Sequence, residues 1–231
     1  MPRYRSVVLA AACALALAAP ASAAYAATAH AAAKPVLTIN KKGGPAVRKR
    51  AVLTVSLAKH TSVTFTLVVG GSSVTATCKS STLHAKVTAN GGKATLSLTG
   101  LTLTRCAAPD GISLTVKALN LPYGVTISSA KGFPVTIAGR SSAKPLSFQA
   151  KINATSIGVG TLRCVVTARR AKAHASNTGN KISAANQKFT LDKGKSSSNC
   201  ASLGVSSATY SATYGPLRDT SVKHSPKVFV N

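Results

Sequence analysis

Apolar and polar residues alternate with a period of two through most of the chain, and this pattern constrains the fold more than any other feature. Successive side chains of a strand point to opposite faces, so each run buries one face and exposes Thr, Ser and Lys on the other. Such half-buried strands are typical of antiparallel sheets. The alternating runs span residues 63–67, 74–78, 83–87, 94–98, 112–116, 135–137, 146–152, 162–166 and 189–191.

Turn-forming residues separate these runs, and the spacing of about 8–12 residues per strand predicts an all-β, antiparallel β-sandwich of immunoglobulin-like type. Glycine, asparagine and aspartate suit the turns because they tolerate positive φ or close the turn with a side chain. No convincing helix is predicted after the N-terminal segment, and residues 171–185 are predicted to form a long loop. The turn signals are Gly70-Gly71, Asn90-Gly91-Gly92, Pro109-Asp110-Gly111, Gly132 and Gly194.

A polar segment at 140–145, ending in Pro145, divides the chain into two halves, residues 35–139 and 146–231. Either the halves are two packed immunoglobulin-like sandwiches or their strands interleave in one large sandwich. Small halves with few aromatic residues would have thin cores, which favours packing of one half against the other.

The N-terminal residues predict a signal peptide over 1–26, followed by a flexible lead at 27–34. A basic start, MPRYR, precedes the 14-residue apolar run 6–19, and small residues then permit cleavage after Ala23 or Ala26. That run is shorter than the ~20 residues that span a bilayer, so no transmembrane segment is expected in the mature chain. We therefore expect a secreted or cell-surface protein.

Cleavage would remove Cys13 and leave four cysteines: Cys78, Cys106, Cys164 and Cys200. An even number in an exported chain indicates disulfides, and the lack of any CxxC spacing argues against a zinc knuckle or a redox dithiol. Of the three possible pairings we favour Cys78–Cys106 with Cys164–Cys200, because each closes a local loop within one half.

The composition leaves few candidates for catalysis, since the chain has no Glu and three Asp. An HExxH zinc site, an EF-hand loop and a glutamate-pair glycosidase are excluded, and neither a GxSxG nor a Walker A motif occurs. Asp110 and Asp192 are interpreted as turn and strand-end residues, and Asp219 as the partner of Arg218 in a loop. We expect a non-enzymatic protein with no catalytic residue, cofactor or metal site.

The remaining signal is charge: without Arg3 and Arg5 the chain carries 27 Lys and Arg against 3 Asp, a mature net charge of +24. A field of this size attracts polyanions in a salt-sensitive way. Weak association with anionic cell-wall polymers or acidic glycans is therefore predicted, although the same cations could serve only solubility. Helix-turn-helix, zinc-finger and aromatic base-stacking patterns are missing, so sequence-specific nucleic-acid binding is not expected. The predicted polyanion-binding residues are Lys41, Lys42, Arg48, Lys49, Arg50, Arg169, Arg170 and Lys172.

Two other functions stay open. One is a hydrolase or small-molecule-binding protein that uses a cleft between the halves, which a polar pocket holding an acid beside a histidine would favour. The other is a structural subunit that assembles by strand pairing, which an exposed apolar strand edge would favour.

Residues 39–80, with Gly43-Gly44-Pro45-Ala46-Val47 before a Thr/Ser-rich strand and a first cysteine, resemble the start of a group of secreted β-rich actinobacterial proteins of unknown function. Residues 101–123, 160–164 and 228–231 are also similar to that group, so the resemblance covers most of the mature chain. It implies an immunoglobulin-like sandwich and no established activity. The basic residues between Lys41 and Arg50 depart from the group's pattern.

Overall fold

Strands make up most of the described chain, which confirms the all-β prediction. The structure, a computed structural model, describes residues 33–69, 71–158 and 160–231, so the predicted signal peptide and most of the predicted lead lie outside the described residues. Up to residue 140 the strands are β1 (Leu37–Ile39), β2 (Val52–Ser56), β3 (Val63–Val69), β4 (Ser72–Asn90), β5 (Lys93–Ala107), β6 (Ser113–Leu119), β7 (Tyr123–Ser128) and β8 (Pro134–Ala138). The later strands are β9 (Leu146–Ala154), β10 (Gly160–Ala168), β11 (Arg170–Ser176), β12 (Lys181–Leu191), β13 (Val205–Tyr214), β14 (Arg218–Asp219) and β15 (Val228–Val230).

Eight antiparallel strands close into a ring. The ring runs β10–β9–β6–β5–β7–β8–β11–β12 and closes where Val166 and Thr167 of β10 pair with Leu191 and Thr190 of β12. Two further strands lie outside this ring: β4 pairs with β5, and β13 pairs with β12. Strand β3 lies between β4 and β13 and pairs with both. Strands from before and after residues 140–145 therefore pair within one sheet, and the described residues belong to one compact unit.

The long hairpins β4–β5 and β12–β13 give this unit two ends. At one end lie β3, β6, β9 and β10 with the start of β4 and the last residues of β5. We call this the disulfide end. At the other end lie β1, β2, β7, β8, β11, β14 and β15 with residues 82–90 of β4 and the start of β5. We call this the asparagine end.

Both disulfides belong to the disulfide end and join the cysteines that the sequence pairs. Cys78 and Cys106 occupy opposite positions on β4 and β5. Cys164 of β10 is bonded to Cys200 of the short helix α1 (Ser198–Ser202). The second bond ties the segment between β12 and β13 to the side of β10.

At the asparagine end, side-chain amides replace missing backbone partners. Asn90 accepts a hydrogen bond from the Leu37 amide at 2.8 Å, and its Nδ2 donates to the carbonyls of Leu37 and Val47 at 2.8 and 2.9 Å. Asn177 makes the same reciprocal pair with the backbone of Val230. These amides fix the β1–β15 sheet against the main sheet.

Asn180 and Asn231 extend this network at the asparagine end. Asn180 donates to the Val228 carbonyl and accepts from the Leu217 amide. Asn231 accepts from the Gly43 amide at 2.7 Å and donates to the Pro35 carbonyl at 3.0 Å. Buried backbone groups need such partners, so four asparagines do here what sheet pairing does elsewhere.

The core holds an aromatic cluster near the middle of the long hairpins. Phe65, Phe148, Phe189 and Tyr210 have ring centroids 5.2–6.3 Å apart in mostly edge-on contacts, a favourable geometry for aromatic pairs. The Tyr210 hydroxyl lies 2.6 Å from that of Tyr214, and the Tyr214 hydroxyl lies 2.9 Å from Ser81 Oγ. Burial raises the pKa of Tyr210 well above its usual value and also raises the pKa of Tyr214.

The structure corrects three local predictions. Residues 171–185 are not a loop, because β11 and β12 cover most of them and bury the alanines at 171, 173 and 175. A helix, α1, follows β12, although none was predicted. Asp219 is buried and accepts hydrogen bonds from the backbone and side chain of Ser221, whereas Arg218 donates to the Ser225 carbonyl.

Candidate functional site

Every one of the 27 Lys and Arg residues in the described chain is exposed. They occupy turns or the outward positions of strands, where the two-residue period places them. Among these described residues one ion pair forms, between Lys195 Nζ and Asp192 at 2.9 Å. The cationic surface is therefore almost uncompensated, and its field acts on partners from outside.

The strand register brings three cations together on the outer surface of β6, β9 and β10. Lys151 of β9 lies directly opposite Arg163 of β10. Lys117 of β6 pairs with Gln149, which precedes Lys151 by two residues, so Lys117 is its diagonal neighbour on the same face. We call Lys117, Lys151 and Arg163 the cationic face.

This arrangement is unfavourable for folding. Like charges at directly opposite positions of an antiparallel pair repel, at a cost within the range of roughly 0.2–1 kcal/mol that such pairs show. No described carboxylate lies within ion-pair distance of any of the three side chains. An external anion would relieve the repulsion, whereas an isolated surface lysine would gain less from one.

The segment after β12 runs beside the cationic face, along residues 163–165 of β10, which β12 does not pair with. The Ser196 hydroxyl accepts from the Val165 amide at 2.9 Å, and the Ser197 amide donates to the Arg163 carbonyl at 2.8 Å. These bonds cover the strand edge and bring exposed Lys193 and Lys195 to the side of β10. The hydrogen bond from Lys195 lowers the pKa of the Asp192 carboxyl.

The predicted cationic clusters both lie at the asparagine end, and all eight residues are exposed. Residues 41–50 form the connection between β1 and β2, and the Arg50 amide donates to the Val87 carbonyl of β4. Arg170 and Lys172 lie on the outward face of β11, where their partners on β8 are Ala138 and Thr136. Around the sheet β11 is separated from β4 by β8, β7 and β5, so strand pairing does not align the two clusters.

The described histidines and aspartates do not assemble into a reactive site. His84 lies on the outer face with its Nδ1 3.1 Å from the Thr54 hydroxyl, and no hydrogen bond or ion pair joins a described histidine to an aspartate. Within the part of the chain that the structure describes, no three His, Cys, Asp or Glu side chains group closely enough to hold a metal ion. Nor does any helix in that part have the length and apolar character to cross a bilayer.

Sequence reasoning did not single out the cationic face because its members are about 12–46 residues apart. The available signal was that each one stands between two apolar residues: Lys117 between Val116 and Ala118, Lys151 between Ala150 and Ile152, and Arg163 between Leu162 and Cys164. This pattern predicts an outward position but not which strands are neighbours.

No protein-family model, curated protein or solved structure matches the chain in the three comparisons with known proteins.

Proposed function

We propose that the chain is an exported, non-enzymatic protein that associates weakly with anionic cell-wall polymers or acidic glycans at the cell surface. In this proposal residues 1–26 are a signal peptide and the mature chain carries a charge of +24. The immunoglobulin-like sandwich and the kinship with secreted actinobacterial β-rich proteins are parts of the same proposal. Two disulfides suit the oxidising environment outside the cell.

The observation that carries the proposal is the opposition of Lys151 and Arg163 next to Lys117, with no described carboxylate paired to them. If the cations served only solubility, they could stand farther apart on the surface, and the repulsion between Lys151 and Arg163 would not arise. Cations held at fixed spacing on three hydrogen-bonded strands are preorganised for a polymer with repeating negative groups. Such a partner would order the three side chains on binding but would not have to order the backbone, which the strands already fix.

Sedimentation of the oxidised protein with isolated cell walls over a salt series tests this proposal. We expect the protein to pellet with intact walls at low salt and to be released as salt rises, because screening weakens contacts between exposed charges. Walls stripped of their anionic polymers serve as the matched control and should leave the protein in the supernatant. Equal binding to both wall preparations, or no binding at low salt, would contradict the proposal.

A further inference from the structure

A cavity of about 170 Å³ lies inside the disulfide end. It is bounded by inward-facing residues of β3, β4, β6, β9, β10 and β13 and by the β5–β6 connection. It is partly open to solvent at the ends of these strands. Its lining contains no polar side chain: Leu67, Val74, Ala76, Ala108, Ile112, Leu114, Ile152, Ala154, Leu162, Leu203 and Val205.

Small residues create the space. Ala76, Ala108 and Ala154 stand at lining positions, and Ala76 and Ala154 are almost fully buried. Towards the middle of the molecule, Phe65 stands two residues before Leu67 on β3, and Phe148 stands four before Ile152 on β9. The contact between these two rings places an aromatic layer beyond the inner end of the cavity.

The outer end is apolar as well. Leu203, which follows α1, lines the opening and is 37 % exposed, one of few large apolar side chains with that exposure among the described residues. Ala108 and Ile112 of the β5–β6 connection also line the cavity and are half-buried. An apolar molecule entering from solvent would therefore meet apolar side chains from the opening inwards.

The lining determines which chemistry fits. A charged or hydrogen-bonding group would lose its water and find no partner among these side chains, so the inserted group must be apolar. A dry apolar cavity of about 150 Å³ accepts a molecule as large as benzene, which sets the scale for this one. Because the cavity opens to solvent, a longer molecule can keep its polar end in water.

We propose that this cavity binds the end of an alkyl chain, as in a fatty acid, a fatty alcohol or a lipid tail. The site lies within one end of the sheet and is independent of the cationic face, which occupies the outer surface of β6, β9 and β10. Alkyl binding depends on burial of apolar surface, so it resists salt, whereas polyanion binding does not.

Titration of the oxidised protein with octanoate and with octanol, followed by methyl NMR, tests the proposal. Both probes should shift the methyl signals of Val74, Ile112 and Leu162, and octanol should do so equally at low and high salt. Octanol has no charge, so its binding cannot come from the surface cations.

Filling the cavity gives the decisive variant. Ala154→Leu places a larger side chain in the cavity and should weaken octanol binding at least tenfold. Ala107→Leu makes the same change at an exposed position beside the lining residue Ala108 and should leave binding unchanged. If Ala154→Leu does not fold, Ala108→Leu fills the cavity from a half-buried position nearer the opening.

Two results would overturn the proposal. One is the absence of any shift in the cavity methyl signals with octanol. The other is octanoate binding that salt abolishes and that the filled variants retain, because that binding would belong to the surface cations. Neither result bears on wall binding, so the two proposals fail separately.

Discussion

The two ends of this molecule reach an ordered structure by different means. The disulfide end has two covalent cross-links and an apolar cavity, whereas the asparagine end has no disulfide and four asparagines bonded to backbone groups. The asparagine end also contains an apolar cavity, but that cavity is smaller, about 60 Å³. A cavity removes van der Waals contacts, so the end with the larger one gains less from packing. We infer that cross-links compensate for the larger space in the disulfide end, while the asparagine end depends on satisfied polar groups.

Loss of the Cys164–Cys200 bond is the largest expected effect and acts on the disulfide end. Cys164→Ala with Cys200→Ala should lower the free energy of unfolding by roughly 3–4 kcal/mol, because a closed loop of this length is freed in the unfolded state. Urea unfolding measures the change, and proteolysis should begin near α1 once it is no longer tied to β10. Amides of β1 and β15 that exchange through local opening should change little by comparison. An equal loss of protection against local opening there would remove the distinction between the ends.

Loss of the Asn90 side chain is expected to act on the asparagine end. Asn90→Ala should lower the free energy of unfolding by about 2–3 kcal/mol, because the backbone of Leu37 and Val47 loses three hydrogen bonds from one side chain. The Leu37 carbonyl keeps its bond from the Val47 amide, so the loss falls mainly on the Leu37 amide and the Val47 carbonyl. Asn153→Ala, an exposed site at the disulfide end that bonds only to Thr155, is the matched control and should cost much less. Similar costs for the two variants would contradict the role assigned to Asn90.

Alkaline pH should weaken the aromatic region between the ends. Burial raises the folded-state pKa of Tyr123, Tyr210 and Tyr214 above 10.0, so the unfolded chain loses these protons first. Stability is therefore fully present below pH 10.0 and falls as pH rises towards the folded-state values. Urea unfolding at a series of pH values over this range measures the fall in the free energy of unfolding. Tyr210→Phe should make the free energy of unfolding fall less steeply with pH. An unchanged pH dependence in that variant would contradict the raised pKa of Tyr210.

The smallest expected effect concerns charge repulsion on the cationic face. Lys151→Gln should raise the free energy of unfolding by about 0.5 kcal/mol at low salt, and the gain should disappear at high salt. Lys172→Gln on β11, whose partner on β8 is Thr136, removes the same charge where no cation lies opposite and should be neutral. A gain of equal size in both variants would mean that total charge, not the pairing of Lys151 with Arg163, causes the strain.

Local features of this fold were predictable from the sequence because they depend on short-range patterns. The period of two predicted most of the strands, and cysteine count with loop length predicted both disulfides. The prediction failed at residues 171–185, where Ala171, Ala173 and Ala175 fill the inward positions of β11. Alanine contributes so little hydrophobicity that an alternating Ala-Lys-Ala-His run resembles a polar loop.

The cationic face and the ring closure were not predictable, because both depend on which strands become neighbours. Lys151 and Arg163 meet only through the β9–β10 register, and Lys117 joins them only because β6 pairs with β9. The cluster at residues 41–50, which is visible in the sequence, lies in a connection rather than on paired strands. Closeness along the chain therefore predicts where cations are dense. It does not predict which cations strand pairing places side by side.

The most direct test of this account compares two triple variants of equal charge and composition in binding to isolated cell walls over a salt series. Lys117→Gln, Lys151→Gln and Arg163→Gln remove the cationic face, and Lys41→Gln, Lys42→Gln and Arg48→Gln remove the same charges from the β1–β2 connection. We expect the first set to weaken binding strongly and to lower the salt slope by about one unit per cation that contacts the polymer, with a much smaller change for the second. Equal losses in the two sets would show that net charge alone drives binding and would contradict the role of the cationic face.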